Sequence, residues 1–138
     1  MDQRMAEQSK EGRISIQHAS KIYDPEGVNV WALDDNDVEI EPGEFVMCVG
    51  PSGCGKTTLL NAIAGFDNLT GGEIYLDGEL IASPKMKQTP GSDRIVVFQN
   101  GALFPWKTVL QNLTYGPMIQ GKMTKEEAIT EARRIMER

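Results

Sequence analysis

The sequence predicts an α/β fold in which a glycine-rich loop carries the chain from a short strand into a helix. Three observations point there. An apolar run, Glu44 to Val49, leads into Gly50-Pro51-Ser52-Gly53-Cys54-Gly55-Lys56-Thr57-Thr58, and a helical pattern follows with Leu59, Leu60 and Ile63 on one face. Upstream, Arg13-Ile14-Ser15-Ile16-Gln17 and Asp37-Val38-Glu39-Ile40-Glu41 alternate polar with apolar residues, as half-buried strands do. Downstream, Thr124-Lys125-Glu126-Glu127 is a capping box that opens a final helix.

Taken in order, residues 1–12 form a polar lead-in without an apolar core, expected to be disordered and unlike a signal peptide. Strands follow at Arg13–Gln17, Val28–Leu33 and Asp37–Glu41, with Asp24-Pro25-Glu26-Gly27 as a turn. Pro42-Gly43 turns the chain into the strand before the loop. The helix over Thr57–Ala64 stops at Gly65. Glu73–Leu76 and Glu79–Ile81 make a hairpin about Asp77-Gly78, a dipeptide that favours the positive φ angles of a tight turn. Residues 83–92 are a surface loop, and Arg94–Phe98 reads as a buried strand. Thr108–Leu113 is a short helix that Gly116-Pro117 is expected to break. The last helix presents Ile129, Ala132, Ile135 and Met136 on one face.

The loop Gly50–Thr58 matches G-x-x-x-x-G-K-[ST], the phosphate-binding P-loop. A nucleotide concentrates negative charge on its β- and γ-phosphates, and inward-facing backbone N–H groups can hold it. Gly50, Gly53 and Gly55 let the backbone approach without a Cβ, and the helix directs its positive dipole end at the same point. Pro51, Ser52 and Cys54 complete the loop. Lys56 is expected on the β- and γ-oxygens, the Thr57 hydroxyl on Mg2+ and Thr58 near the α-phosphate. The cofactors implied are ATP and Mg2+.

Composition bounds the rest. The chain has 138 residues, 40% of them hydrophobic, and a net charge of −6. One domain or part of one fits that length, and the acidic balance argues against a nucleic-acid partner bound through a basic face. No apolar run approaches the roughly 18–20 residues of a membrane helix. A cytoplasmic location is expected. Cys48 and Cys54 flank the P-loop, where a disulfide would distort it, so reduced thiols are expected.

A wider resemblance rests on the P-loop with Leu59-Leu60-Asn61-Ala62-Ile63-Ala64-Gly65, on Gly72-Glu73-Ile74-Tyr75-Leu76-Asp77-Gly78, and on Val97-Phe98-Gln99-Asn100-Gly101-Ala102-Leu103-Phe104-Pro105-Trp106. Together they resemble the ATP-binding subunit of an ABC transporter. Ser92-Asp93-Arg94 and Ala102–Trp106 are most similar to importers for nitrate, sulfonates, taurine or bicarbonate. The resemblance covers residues 13–138 and about the first half of the family's domain. It implies an ABC-type P-loop NTPase fold: an antiparallel β subdomain, the P-loop core and the start of a helical subdomain, truncated.

The same resemblance implies roles. Gln99 matches the Q-loop glutamine, which reaches Mg2+ and the attacking water; an amide can both accept from water and ligate a metal. Tyr23 matches the aromatic that stacks on adenine. Phe104-Pro105-Trp106 falls where a membrane subunit docks, or else packs within the subdomain. Implied partners are the membrane-spanning permease subunits, a second ATP-binding subunit as homodimer or heterodimer, and, indirectly, a solute-binding protein. The subunit would sit on the inner face of the membrane through the permease.

The family's Walker B Asp-Glu, its Leu-Ser-Gly-Gly-Gln signature and its switch histidine lie downstream of the Gln99 region and are absent from the 138 residues. Leu69-Thr70-Gly71-Gly72-Glu73 imitates the signature but leads into a strand. Val30-Trp31-Ala32-Leu33-Asp34-Asp35 imitates Walker B but precedes the P-loop. His18 is assigned no catalysis. In the family's sheet, later strands separate the P-loop strand from the Phe98 strand, so both are expected to have unpaired edges and the isolated chain to be poorly stable. Besides the importer subunit, a nucleotide-binding fragment without hydrolysis, a small P-loop kinase or GTPase, and an ABC ATPase outside transport remain open.

Overall fold

The computed structural model describes residues 11–137; most of the lead-in lies outside the described residues. The chain divides into two compact units, Met1–Val96 and Val97–Arg138.

The first unit is built on a four-stranded antiparallel sheet. Its strands are β1 (Ile14–Tyr23), β2 (Val30–Ile40), β3 (Gly71–Leu76) and β4 (Glu79–Ala82), in the spatial order β2-β1-β3-β4. A 3-10 turn over Pro25–Gly27 joins the first two. Helix α1 (Lys56–Ala64) follows the P-loop. The expected hairpin is present, and Asp77 and Gly78 both take positive φ. The Asp77 carboxylate then accepts from the backbone N–H groups of Gly12 and Arg13, pinning the start of β1.

β1 and β2 are longer than their alternation indicates, and the reason is a bulge. The β1 positions that are buried are Ile16, Ala19 and Lys21, spaced three apart and then two. The register shifts between Ile16 and Ala19, and His18 takes φ 52°. One extra residue therefore breaks the period of two while the strand continues. Opposite it, Asp35 also takes positive φ, and β2 runs unbroken through Asp34–Asn36, where the sequence suggested two separate strands.

The core gathers Ile16, Ala19, Leu33, Ala62, Leu69, Ile74, Ile81 and Ala82. α1 contributes Ala62 and packs Leu59 and Ile63 against it. These residues lie three and four apart, on one stripe. Leu60, expected on that stripe, is turned about 100° away and stays exposed.

Two expected strands are not formed. Glu44–Val49 and Arg94–Phe98 carry no ladder pairing, and Phe45 is 88% and Ile95 90% exposed. A strand exists only through ladder hydrogen bonds to a neighbour, and none of the four described strands forms a ladder with either segment.

In the second unit, α2 (Val109–Ile119) and α3 (Lys125–Met136) pack on each other. Both open with complete capping boxes, Thr108 with Gln111 and Thr124 with Glu127. Gly116-Pro117 does not break α2. Pro117 lies near its end and forfeits one N–H, while Gln120 N–H still donates to Gly116 O at 3.1 Å and Lys122 N–H to Pro117 O at 3.1 Å. The buried residues of α3 are Ala128 and Ala132, not Ile135 and Met136, which remain exposed. Small side chains let the two helices approach closely. None of the described helices is long and apolar enough to cross a membrane.

Candidate functional site

The P-loop closes on Gly55, the N-cap of α1, at φ 94°. A Cβ there would lie 2.1 Å from the Ala32 carbonyl oxygen on β2, so this position accepts glycine alone. Gly53 is also left-handed, at φ 80°, but faces open space. The first intrahelical bond runs from Leu59 N–H to Gly55 O at 2.9 Å. Helix geometry therefore gives the N–H groups of Gly55, Lys56, Thr57 and Thr58 no intrahelical acceptor, and no side chain caps them. Beside them is a cleft of about 250 Å3 lined by Ala32, Ser52, Gly53, Gly55, Lys56, Thr57 and Thr58.

The Lys56 ammonium folds over the loop. It donates to Gly50 O at 2.8 Å and Pro51 O at 2.6 Å, with Cys54 Sγ at 3.3 Å. One cation thus spans the first half of the loop from a root in the helix's first turn. Cys48 and Cys54 are exposed free thiols.

This donor set fits a polyphosphate with its metal. Unpaired N–H groups at a positive helix end, an ammonium and two threonine hydroxyls converge on one cleft, and Thr57 supplies an oxygen of the kind Mg2+ takes. Among the described residues lining the cleft there is no carboxylate.

Tyr23 ends β1 beside the same helix. Its hydroxyl donates to Asp67 and lies near enough to the Thr58 side chain, which lines the cleft, to feel its dipole. Asp67 follows the Gly65 cap of α1, and its N–H, like that of Phe66, donates to Asn61 O. The Lys21 ammonium donates to Asp67 Oδ1 at 2.6 Å and to Asn68 O, and stands 4.8 Å from the Tyr23 ring centroid. Burial alone pushes the Asp67 carboxyl up, but hydrogen bonds from Lys21 and Tyr23 outweigh it and hold the group below the usual carboxylate range. The Tyr23 phenol is raised, first by the bond to Asp67 and then by burial.

The structure places Ser52, Gly53, Gly55, Lys56, Thr57 and Thr58 around the cleft and Gly50, Pro51 and Cys54 at the Lys56 ammonium, whereas Tyr23 is bonded to Asp67 and does not line the cleft. Gln99 belongs to the second unit, where it is exposed. Sequence reasoning missed Lys21, Asp67 and Ala32. Lys21 is buried only because of the bulge at His18, which no turn residue announces. Asp67 is signalled weakly, as an acid just past the Gly65 stop.

In the second unit, the Phe104 and Trp106 rings touch, with centroids 5.5 Å apart, but differ in exposure. Phe104 packs edge-on against Tyr115, with ring centroids 4.9 Å apart, while Trp106 is exposed. The Asn112 amide holds the turn between them through Phe104 N–H, Phe104 O and Lys107 O. An apolar cleft of about 460 Å3 lies alongside, walled by Leu110, Tyr115, Met118, Ile119 and Ile129 with Lys107 and Lys125 at its rim.

His18, Asp35 and Asp37 cluster on the exposed bulge, with His18 Nδ1 2.8 Å from Asp35. The bond to Asp35 and the charges of Asp37 and Asp35 raise the imidazole above its ordinary value.

The fold has known counterparts. A dimeric ATP-binding cassette in a post-hydrolysis state bound to ADP and Pi superposes with a TM-score of 0.69 and 31% identity, over 88% of this chain and 54% of that one. An uncharacterised ABC transporter ATP-binding protein of Methanocaldococcus jannaschii is 42% identical over 90% of this chain and 44% of its own length. A taurine import ATP-binding protein of Roseobacter denitrificans is 41% identical over 84% of this chain and 42% of its length. A nitrate import ATP-binding protein of Synechococcus elongatus is 45% identical over 72% of this chain and 14% of its length. The chain spans less than half the length of these curated relatives. The family described as ABC transporter matches residues 33–138, which include the P-loop, the hairpin and both helices of the second unit, and the chain therefore belongs to the ABC transporter family.

Proposed function

We propose that the chain binds the triphosphate of Mg-ATP as part of the nucleotide-binding subunit of an ABC importer, and that the complete subunit energises import of a small anion such as nitrate, a sulfonate, taurine or bicarbonate. The observation that carries the binding claim is the cleft itself: four helix-end N–H groups, the Lys56 ammonium and two threonine hydroxyls around one small volume. Lys56 would exchange the Gly50 and Pro51 carbonyls for β- and γ-phosphate oxygens, gaining charge-assisted bonds. Thr57 would hold Mg2+, Thr58 would approach the α-phosphate, and Gln99, by its resemblance to the Q-loop glutamine, would reach the metal and the attacking water. When bound, Mg2+ screens the phosphate charge. The anion class rests on the names of the relatives, which include taurine, sulfonate and nitrate import proteins.

Partners follow from the same reading. The apolar cleft with exposed Trp106 offers an aromatic anchor of the kind interfaces use, and we assign it to a permease helix. A second ATP-binding subunit would complete each nucleotide site, and the subunit would sit on the inner face of the membrane.

A second reading has its own support. With no carboxylate among the described residues of the cleft, the chain as given binds nucleotide without hydrolysing it. Calorimetry with Mg-ATP and a phosphate-release assay test both. Binding that disappears in Lys56→Ala supports the first claim, and its persistence there refutes it. Steady phosphate release by the 138-residue chain, lost in the same variant, rules out the second.

A further inference from the structure

The Lys21 ammonium is nearly buried. Its side chain is 10% exposed, and a cation so placed requires a partner. Asp67 supplies one through Oδ1, and the Asn68 carbonyl adds a second acceptor. That pairing alone satisfies Lys21. Yet Asp67 also accepts, through Oδ2, the hydroxyl of Tyr23, a residue that is 39% exposed and could have turned that hydroxyl to water. The same hydroxyl lies near enough to the Thr58 side chain, in the wall of the P-loop cleft, to feel its dipole. Asp67 is itself fixed, because the backbone at Phe66 and Asp67 is bonded to Asn61 O at the end of α1. A surface ring is therefore tied at its tip to the turn that ends the P-loop helix, with an ammonium standing over it.

We infer that Asp67, anchored by Lys21, is a positioning residue that holds the Tyr23 ring in place as a platform for the nucleobase of the ligand bound by the P-loop. This rests on the nucleotide-binding reading above and adds how base affinity is set. An untethered tyrosine loses rotamer freedom when a base stacks on it, whereas a tethered one has already lost it, so the bond to Asp67 converts into affinity for the base. The phosphates touch none of this directly.

The test compares Mg-ATP with Mg-tripolyphosphate, which carries the phosphates and no base, on the full chain by calorimetry. Tyr23→Phe keeps the ring and the Lys21–Asp67 pair and removes the tether. It is expected to weaken Mg-ATP binding about 3- to 10-fold while leaving tripolyphosphate unchanged. Asp67→Asn also takes the charge from the partner of the nearly buried Lys21, so it is read only as the ratio of Mg-ATP to tripolyphosphate affinity, and adding Tyr23→Phe to it is expected to lower that ratio no further, because both changes cut the one tether. Wild-type affinity for Mg-ATP in Tyr23→Phe overturns the inference. So do equal losses for both ligands, which mark a merely structural role, and losses that multiply in the double variant. A wild-type chain that binds neither ligand overturns the nucleotide reading along with this one, whereas binding of both ligands with no change in their ratio overturns this one alone.

Discussion

Gly55→Ala is the sharpest perturbation the structure offers, because two separable penalties meet at one atom. The residue sits at φ 94°, and a Cβ would lie 2.1 Å from the Ala32 carbonyl oxygen. Left-handed backbone costs an L-residue about 1–2 kcal/mol. To restore ordinary contact the loop must retreat from β2 by about 1.3 Å, and crowding of this kind costs about 1–3 kcal/mol more. The expected loss is about 2–5 kcal/mol. Gly53→Ala is the matched control: φ 80° with nothing within 4 Å, so only the backbone penalty of about 1–2 kcal/mol applies. Urea titrations would be read by Trp31, next to Ala32, in a Trp106→Phe background that silences the other tryptophan. Gly55→Ala should unfold at clearly lower urea than Gly53→Ala and show no calorimetric signal with Mg-ATP. Equal midpoints would refute the claim that the P-loop rests on β2 and, with it, the geometry of the cleft.

Ile95→Lys with Val97→Lys should reduce light scattering by the concentrated chain without lowering the Trp31 midpoint, since both side chains are nearly fully exposed and unpaired; unchanged scattering counts against those segments as the cause. Thr124→Ala should cost about 1 kcal/mol of α3 stability, read by amide exchange at Ala128 and Ala132. The backbone and side-chain hydrogen bonds from Thr124 lower the Glu127 carboxyl below its ordinary value, so the cap is complete above the ordinary glutamate range and is lost as pH falls through the depressed value; protection of α3 that is flat with pH refutes this. His18, the sole histidine, should titrate above 6.5 by NMR. Its bond to Asp35 should stabilise the bulge fully below 6.5 and fade as pH rises through the raised value, and Asp35→Asn should return the titration toward 6.5. A His18 titration that does not move in Asp35→Asn removes the ion pair as the cause.

What was legible in the sequence was what is local. The loop-to-helix junction at Gly55, the Thr124 capping box and the Asp77-Gly78 hairpin each depend on residues within a few positions, and all formed where expected. What failed depends on neighbours distant in the chain. Glu44–Val49 and Arg94–Phe98 have strand composition but no ladder among the described residues, and composition cannot supply one. Ile135 and Met136 fit the helical period of α3, but α2 is met by the alanines at 128 and 132. The break assigned to Gly116-Pro117 overstated a missing N–H that a final turn tolerates.

The candidate site divides along the same line, and the division has a physical content. Its proposed phosphate half is written into nine consecutive residues, because backbone N–H groups would do the holding and only a loop's own sequence can aim them. Its base half is assembled from β1 and the turn after α1, sites 44 and 46 positions apart in the chain. A bulge at His18 sets which face of β1 Lys21 and Tyr23 present, so a single inserted residue decides whether a lysine is buried against Asp67 or left in water. The half proposed to recognise charge therefore depends on the sheet only where Gly55 meets Ala32 on β2, while the half that would recognise a base is as sensitive as the register of one strand. Substitutions that flatten the β1 bulge should accordingly lower the preference for Mg-ATP over Mg-tripolyphosphate before they weaken phosphate binding at all.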